Sequence, residues 1–396
     1  QILGDVLDLG VPSDATVTTA KLASDAVTTA KIADSNITSA KIAGGVLKPP
    51  HRNIIINGDM SIAQRATSAS SVSAAGYHTV DRWHNHFDTG GTWTISQDTD
   101  VPTGQGFAKS LKMDCTTAQA SPGVIRIWQK FEGQNLQYLK KGTSSAESLT
   151  CSFWVKSTKT GTFICNLYDE DNNRINSQSY TVSSSDTWEQ KSVTFPGDTT
   201  GAFGNDNAAS LWLQFFVGAG SSWTSGTLAT SWQSTTLANI AVGQVNCGDS
   251  TSNNFYLTGV QLEAGTSASD FEFLPVDVNT TRCLRYYQKS YAYATAPGTN
   301  TTNGLHTTDG SAGGLTTGYL YGQIDLKENM RAAPTVTLYD KAGNSGVCAR
   351  LNSGVARTDS QNCSAGDIIE KSFSITSTGT ANAGAIDVHF EATAEL

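Results

Sequence analysis

Leu211-Trp212-Leu213-Gln214-Phe215-Phe216-Val217 is too short for a buried helix and has the length of a strand, closed on its far side by Gly218. In a strand, alternate side chains face opposite ways, so Leu211, Leu213, Phe215 and Val217 share one face and Trp212, Gln214 and Phe216 the other. Both faces are largely apolar. One face of such a strand enters a core, and the second needs cover from another domain, a neighbouring chain or a ligand. Cys151-Ser152-Phe153-Trp154-Val155-Lys156 repeats the pattern, with Trp154 beside Ser152 and Lys156 and opposite Phe153. Further segments at 149–155, 161–168, 177–182, 189–195 and 255–262 are separated by Gly, Asp, Asn, Ser and Thr. They predict an all-β chain built on a sandwich or barrel of antiparallel strands.

The chain has 396 residues, more than one hydrophobic core usually serves, so two or three domains are expected. Only 38% of residues are apolar and 15% charged, yet 8 Trp, 12 Tyr and 14 Phe supply enough aromatic area to fill cores, which argues against disorder. The net charge of −9 and the scattered basic residues exclude a phosphate-neutralising surface, hence no nucleic-acid partner. No apolar run approaches the length that spans a bilayer, so no membrane insertion is expected. A chain opening at Gln1 without an initiator Met reads as processed or as a fragment whose first residues are missing. Seven cysteines, an odd number without a Cys-x-x-Cys pair, read as reduced core thiols made in the cytoplasm.

Ahead of the strands, Val17-Thr18-Thr19-Ala20-Lys21-Leu22-Ala23 recurs every ten residues as Val27-Thr28-Thr29-Ala30-Lys31-Ile32-Ala33 and Ile37-Thr38-Ser39-Ala40-Lys41-Ile42-Ala43. A large apolar residue every fifth position (Val17, Leu22, Val27, Ile32, Ile37, Ile42) fits neither helix nor strand. So short a repeat cannot bury those side chains alone, and parallel copies around one axis would. Residues 1–50 are therefore expected to form a fibrous, trimeric stem that ends at Lys48-Pro49-Pro50. Residues 51–276 form the first β-domain. Thr280 is read as the cap of a helical connector within 277–290, where Cys283, Leu284 and Tyr287 share a face. After a Gly, Thr and Asn-rich stretch at 297–318, strands at 319–326, 334–339, 345–351, 368–376 and 385–394 make 291–396 a smaller C-terminal β-sandwich.

Asn53-Ile54-Ile55-Ile56-Asn57-Gly58-Asp59-Met60, Gln64-Arg65, Asp81-Arg82-Trp83, Ser152-Phe153-Trp154-Val155-Lys156-Ser157 and Phe255-Tyr256-Leu257-Thr258-Gly259-Val260-Gln261-Leu262-Glu263-Ala264-Gly265 form an ordered series. It continues through Cys283-Leu284-Arg285-Tyr286-Tyr287-Gln288-Lys289, Met330-Arg331-Ala332-Ala333-Pro334-Thr335-Val336 and Ala392-Thr393-Ala394-Glu395-Leu396. The series, with its stem repeats, resembles bacteriophage tail fibres and related virion appendage proteins over nearly the whole chain. The resemblance implies a homotrimer, a central jelly roll similar to carbohydrate-binding modules, and an outer end that contacts a host surface glycan. It also implies attachment to other virion tail proteins through the N-terminal stem.

No nucleophile elbow, zinc motif, P-loop or dinucleotide turn stands in a suitable context, so no enzyme and no cofactor are expected. Asp169, Asp171, Asp206 and Asp249 are the carboxylates from which a glycosidase pair would be drawn, but all lie at predicted turns, where Asp satisfies local donors. The acidic turn Tyr168-Asp169-Glu170-Asp171-Asn172-Asn173-Arg174 lacks the remaining ligands of a calcium loop, and His84-Asn85-His86 aligns two imidazoles without a third ligand; no metal is expected. Sugar recognition needs flat aromatic faces and amide or carboxylate groups, which makes Trp223, Trp212, Trp154, Tyr319 and Tyr321 the glycan-contact candidates. Trp232 reads as a structural anchor. The negative net charge favours neutral sugars over charge-driven contact. The long parallel coils usual in depolymerising tailspikes have no counterpart in these irregular hairpins, so receptor binding leads, with a purely structural fibre or collar as the alternative.

Overall fold

A computed structural model describes residues 52–309, 318–352, 358–379 and 383–396. The expected stem, with Val17, Leu22, Val27, Ile32, Ile37 and Ile42, lies outside the described residues. The rest is all-β, as the alternating segments predict. Strands are numbered here in chain order. One sandwich sheet runs β1 (Ser68–Val72), β3 (Thr92–Asp98), β4 (Ser110–Thr117), β12 (Asn254–Ala264), β6 (Leu149–Ser157) and β9 (Glu189–Phe195). The other runs β11 (Gln233–Ser234), β8 (Arg174–Val182), β7 (Gly161–Asp169), β10 (Ala209–Ala219), β5 (Val124–Glu132) and β2 (His84–Asp88). All pairings are antiparallel, giving a jelly-roll sandwich.

The period-2 reading of β10 holds: Leu211, Leu213, Phe215 and Val217 are fully buried between the sheets. Phe215 meets Phe153 of β6 edge-on at 4.9 Å, and Phe163 of β7 meets Phe255 of β12 at 5.7 Å. Aromatic pairs at these distances add to what area burial alone contributes. The seven cysteines are free thiols, six of them buried.

Among the described residues two short α-helices occur, α1 (Ser221–Thr224) and α2 (Val276–Leu284). The expected connector helix is displaced toward the N-terminus. The Thr280 hydroxyl donates to the Val276 carbonyl at 2.7 Å within the helix and caps nothing. Residues Tyr287–Lys289 form strand β13, because their backbone pairs with Glu391, Ala392 and Thr393. That tertiary ladder overrides the local helical pattern. The C-terminal sheet follows the order β13, β20 (Ala383–Thr393), β17 (Val347–Asn352), β18 (Thr358–Gly366), β19 (Ser372–Gly379) and β15 (Gly318–Asp325). Strands β14 (His306–Asp309) and β16 (Thr335–Tyr339) also pair with β20, so the sheet curls around its own core of Leu320, Ile324, Phe373, Ile375, Ile386 and Val388.

The motifs that carry the family resemblance build the framework. Asn57 sits in the left-handed region at φ 60°, which Asn tolerates. Its side chain accepts from the Ile62 N–H and donates to the carbonyls of Ile62 and Asp81, while its own carbonyl accepts from the Trp83 indole at 3.0 Å. Asp81 takes the Gln64 backbone N–H at 2.8 Å and the Gln64 amide at 2.5 Å. Arg65 and Arg82 converge on the Glu395 carboxylate and lie over the rings of Tyr287 and Tyr286 at 3.7 and 3.4 Å. The chain's end is thereby clasped to the sandwich.

Candidate functional site

The outer face of the second sheet is the second apolar face that β10 requires. Register places His84, Trp128, Gln214, Asn166 and Ser177 in one row across β2, β5, β10, β7 and β8. One step to one side lies a row of Lys130, Trp212, Tyr168 and Ile175; one step to the other side, His86 and Arg126 stand beside Phe216. The segments on both sides of β11 fold back over part of this face, where Phe216, Ile164 and Ile175 form a satellite core with Ala229, Ile240 and Ala241. Trp223, in α1 of that segment, packs on Phe216 at 6.0 Å and stays half-buried. The chain therefore covers one end of the face itself and leaves the rest bounded by rings.

Those rings form a continuous ribbon. Tyr77 meets His84 edge-on at 4.9 Å, His84 stacks on Trp128 at 4.3 Å with planes 5° apart, Trp128 meets Trp212 at 5.1 Å, and Tyr168 abuts Trp212 edge-on at 5.4 Å. Trp212 and Tyr168 are half-buried on one side of the polar row, and Trp223 with Phe216 stands on the other. Along that row the Asn166 amide oxygen and nitrogen, the Ser177 hydroxyl, the Trp128 indole N–H and His84 Nδ1 are buried without a protein hydrogen-bond partner. Unmatched buried donors and acceptors cost about 1–3 kcal/mol each. Water or a ligand hydroxyl that reached this row would be favoured there.

The face is also basic, in an acidic protein. The Arg126 guanidinium donates to the Gln214 carbonyl oxygen at 2.7 Å and lies 4.7 Å from the Trp128 ring and 4.9 Å from that of Trp223. Burial pulls it down to about 10, still charged at neutral pH. Lys130 Nζ stands 3.8 Å over Trp212, and burial lowers its pKa too, partly offset by Glu170. Glu170 is exposed and accepts the Trp212 indole N–H at 2.7 Å. His84 is pushed down to about 3, by burial first and then by the charges of His86 and Lys130, so it is neutral at physiological pH.

A cavity of about 530 Å³ lies elsewhere, lined by Phe131, Glu132, Tyr138, Arg282, Arg285 and Tyr286. Its polar groups satisfy one another: Arg285 forks onto Glu132 at 2.6 and 2.7 Å, and the Tyr286 hydroxyl donates to Glu132 at 2.5 Å. With its polar groups paired among themselves, it is the weaker candidate.

Of the sequence candidates, the fold brings Trp212 and Trp223 onto this face. Trp154 lies on the other sheet, beside Gly259, away from it. Tyr321 is exposed on β15 of the C-terminal sheet, and the Tyr319 side chain lies outside the described residues. Trp232 packs against the main core and donates its indole N–H to the Pro196 carbonyl at 2.7 Å. Trp128, Tyr168, Asn166 and Arg126 were not singled out by sequence. A signal existed, since Val124-Ile125-Arg126-Ile127-Trp128-Gln129-Lys130 alternates as β10 does and puts Arg126, Trp128 and Lys130 on one face.

The four carboxylates considered for catalysis each have local partners. Asp171 and Asp206 accept backbone N–H groups of Gly204 and Ala208, and Asp249 accepts from Asn253 and pairs with Lys159. Asp169 and Asp198 hold the Lys141 ammonium at 2.6 and 3.1 Å, beside the Thr200 and Gly201 carbonyls at 2.8 and 2.7 Å. Asp169, at the start of the acidic turn, is thus paired with a lysine seated in a cage of oxygens. Among the described residues, no group of three His, Cys, Asp or Glu is placed to hold a metal ion, and no helix is long and apolar enough to cross a membrane.

No family model matches the sequence, and no curated protein matches it. Several solved structures share a distant likeness. The enzymatically active domain of tailspike protein 4 of bacteriophage CBA120 is 13% identical with a TM-score of 0.31, over 55% of this chain and 22% of that one. A family 11 carbohydrate-binding module from Clostridium thermocellum, in complex with a β-1,3-1,4-mixed-linked tetrasaccharide, is 10% identical with a TM-score of 0.26, over 52% and 98%. The N-terminal cellulose-binding domain of Cellulomonas fimi β-1,4-glucanase C is 11% identical with a TM-score of 0.26, over 47% and 90%. The chain thus spans about a fifth of the tailspike's length. TM-scores of this size carry no inference about ligand or activity.

Proposed function

We propose that this chain is a glycan-binding subunit of a virion tail fibre, and that the outer face of the second sandwich sheet is its binding surface. The observation that carries the glycan reading is the row of unpartnered buried polar atoms on Asn166, Ser177, Trp128 and His84 between walls formed by Trp212 and Tyr168 on one side and Trp223 on the other. A pyranose offers what those groups lack: hydroxyls that donate and accept, and an apolar ring face for indoles. The fibre reading, with its homotrimer and its attachment through residues 1–50, rests on the motif series and the stem repeats. In this reading the protein binds and does not cleave.

One site of this kind is worth roughly 4 kcal/mol, a millimolar dissociation constant, and three on a trimer gain orders of magnitude if they engage together. The test is a Trp212→Ala full-length protein, assayed for binding to host cells and for competition with virion adsorption. Trp212 is half-buried on the outer face, so the variant should keep a cooperative melting transition, lowered by the lost ring contacts, while losing cell binding by tenfold or more. Normal cell binding would remove this face as the receptor site. A change in subunit number by light scattering would reassign it as a contact between copies.

A further inference from the structure

Resting on the glycan reading above, the geometry points to a narrower ligand class: a saccharide bearing a carboxylate, with Arg126 as the residue that receives it. Several bases withdrawn from water rest on acids: Arg65 and Arg82 on Glu395, Lys141 on Asp169 and Asp198, Arg174 on Asp198, while Lys289 donates to three carbonyls instead. Arg126 has no acid within ion-pair distance among the described residues. Its one protein acceptor is the neutral Gln214 amide, and its Nε–H is buried without a partner. A half-buried guanidinium without a counter-charge is only partly hydrated, so its position marks where an anion is favoured.

The shape of the setting selects the anion. The guanidinium lies near two indoles, those of Trp128 and Trp223, with Gln214 engaging one terminal nitrogen and the Nε side left free of protein partners. A planar two-oxygen acceptor matches the fork of a guanidinium, and a sugar ring carrying such a group would keep its apolar face for the neighbouring rings. Lys130, over Trp212 on the opposite wall, adds a second positive charge that the exposed Glu170 on the same wall offsets in part. At Arg126 the face thus departs from the overall charge of −9 that favours neutral sugars.

Full-length protein labelled with 5-fluorotryptophan reports each indole by fluorine NMR, with the eight signals assigned by single Trp→Phe changes. The probes are glucuronate and galacturonate, their neutral parents glucose and galactose, and acetate. At least one uronate should shift the Trp128 and Trp223 signals with an affinity about tenfold or more above its neutral parent. Acetate should be weaker than the uronate, since it lacks the ring. Arg126→Gln should bring acid and neutral sugar to equal affinity with no loss of melting temperature, and Arg126→Lys should keep part of the preference. Equal binding of acid and neutral sugars by the parent, a preference that survives in Arg126→Gln, or acetate matching the uronate would overturn the carboxylate assignment and leave the glycan reading standing. No shift of Trp128, Trp212 or Trp223 with any sugar would overturn both.

Discussion

Lys141→Met should destabilise the sandwich by about 3 kcal/mol, and the structure sets that magnitude. The Lys141 side chain is 4% exposed, and those of Asp169 and Asp198 are 0% and 3% exposed, so solvent does not screen the cluster. Breaking a buried ion pair by removing one partner costs about 3–5 kcal/mol, because a charge is left without compensation. The lower end applies here. Asp198 keeps the Arg174 fork at 2.7 and 3.0 Å, and Asp169 keeps the Asn172 amide at 3.0 Å. Methionine fills most of the space of the lysine stem, so the loss is electrostatic rather than a cavity. For a sandwich of this size the change corresponds to roughly 6–12 °C in melting temperature, measured by calorimetry. Two further readouts separate the mechanism from general damage. The parent should melt unchanged in a chelator, since an ammonium occupies the oxygen cage. The variant should recover part of its loss when millimolar calcium is added, because two carboxylates and two carbonyls then lack a cation. A Lys141→Met protein that melts within about 1 °C of the parent would refute the reasoning.

Glu395→Gln removes the charge that both Arg65 and Arg82 share and should cost about 3 kcal/mol or more, read as a lower denaturant midpoint for the whole β-unit. Gly58→Ala should also destabilise it by several degrees in a melting scan, because the new Cβ would stand 2.1 Å from the Val260 carbonyl oxygen, a backbone atom that cannot swing aside. The pH dependence follows from His84. Its folded value of about 3 lies below the ordinary 6.5, so the unfolded chain binds the extra proton between those values and stability falls as pH drops through that window. His84→Phe should flatten that part of the curve in melting experiments from pH 7 to pH 4, and an unchanged curve would place the titration elsewhere.

The alternation of 211–217 and 149–155 was enough to fix strands, faces and the need for cover on a second face, because side-chain direction in a strand depends only on parity. The thiols and the structural role of Trp232 were legible for similar local reasons. Local pattern failed where a distant strand made the decision. Residues 287–289 look helical beside Cys283 and Leu284 until β20 supplies a ladder for them. Sequence also cannot distinguish Trp212 from Trp154, each an outward indole on a two-faced strand. What separates them is sheet membership: β10 lies between β5 and β7, so Trp212 gains Trp128, Tyr168, Asn166 and the Arg126 charge as neighbours, while Trp154 lies in the opposite sheet against Thr258 and Gln190. Those neighbours lie about 40 to 90 residues away along the chain. Strand order is set by closing the core as a whole, and it is this closure that brings Trp128, Tyr168, Trp212 and Arg126 onto a single surface.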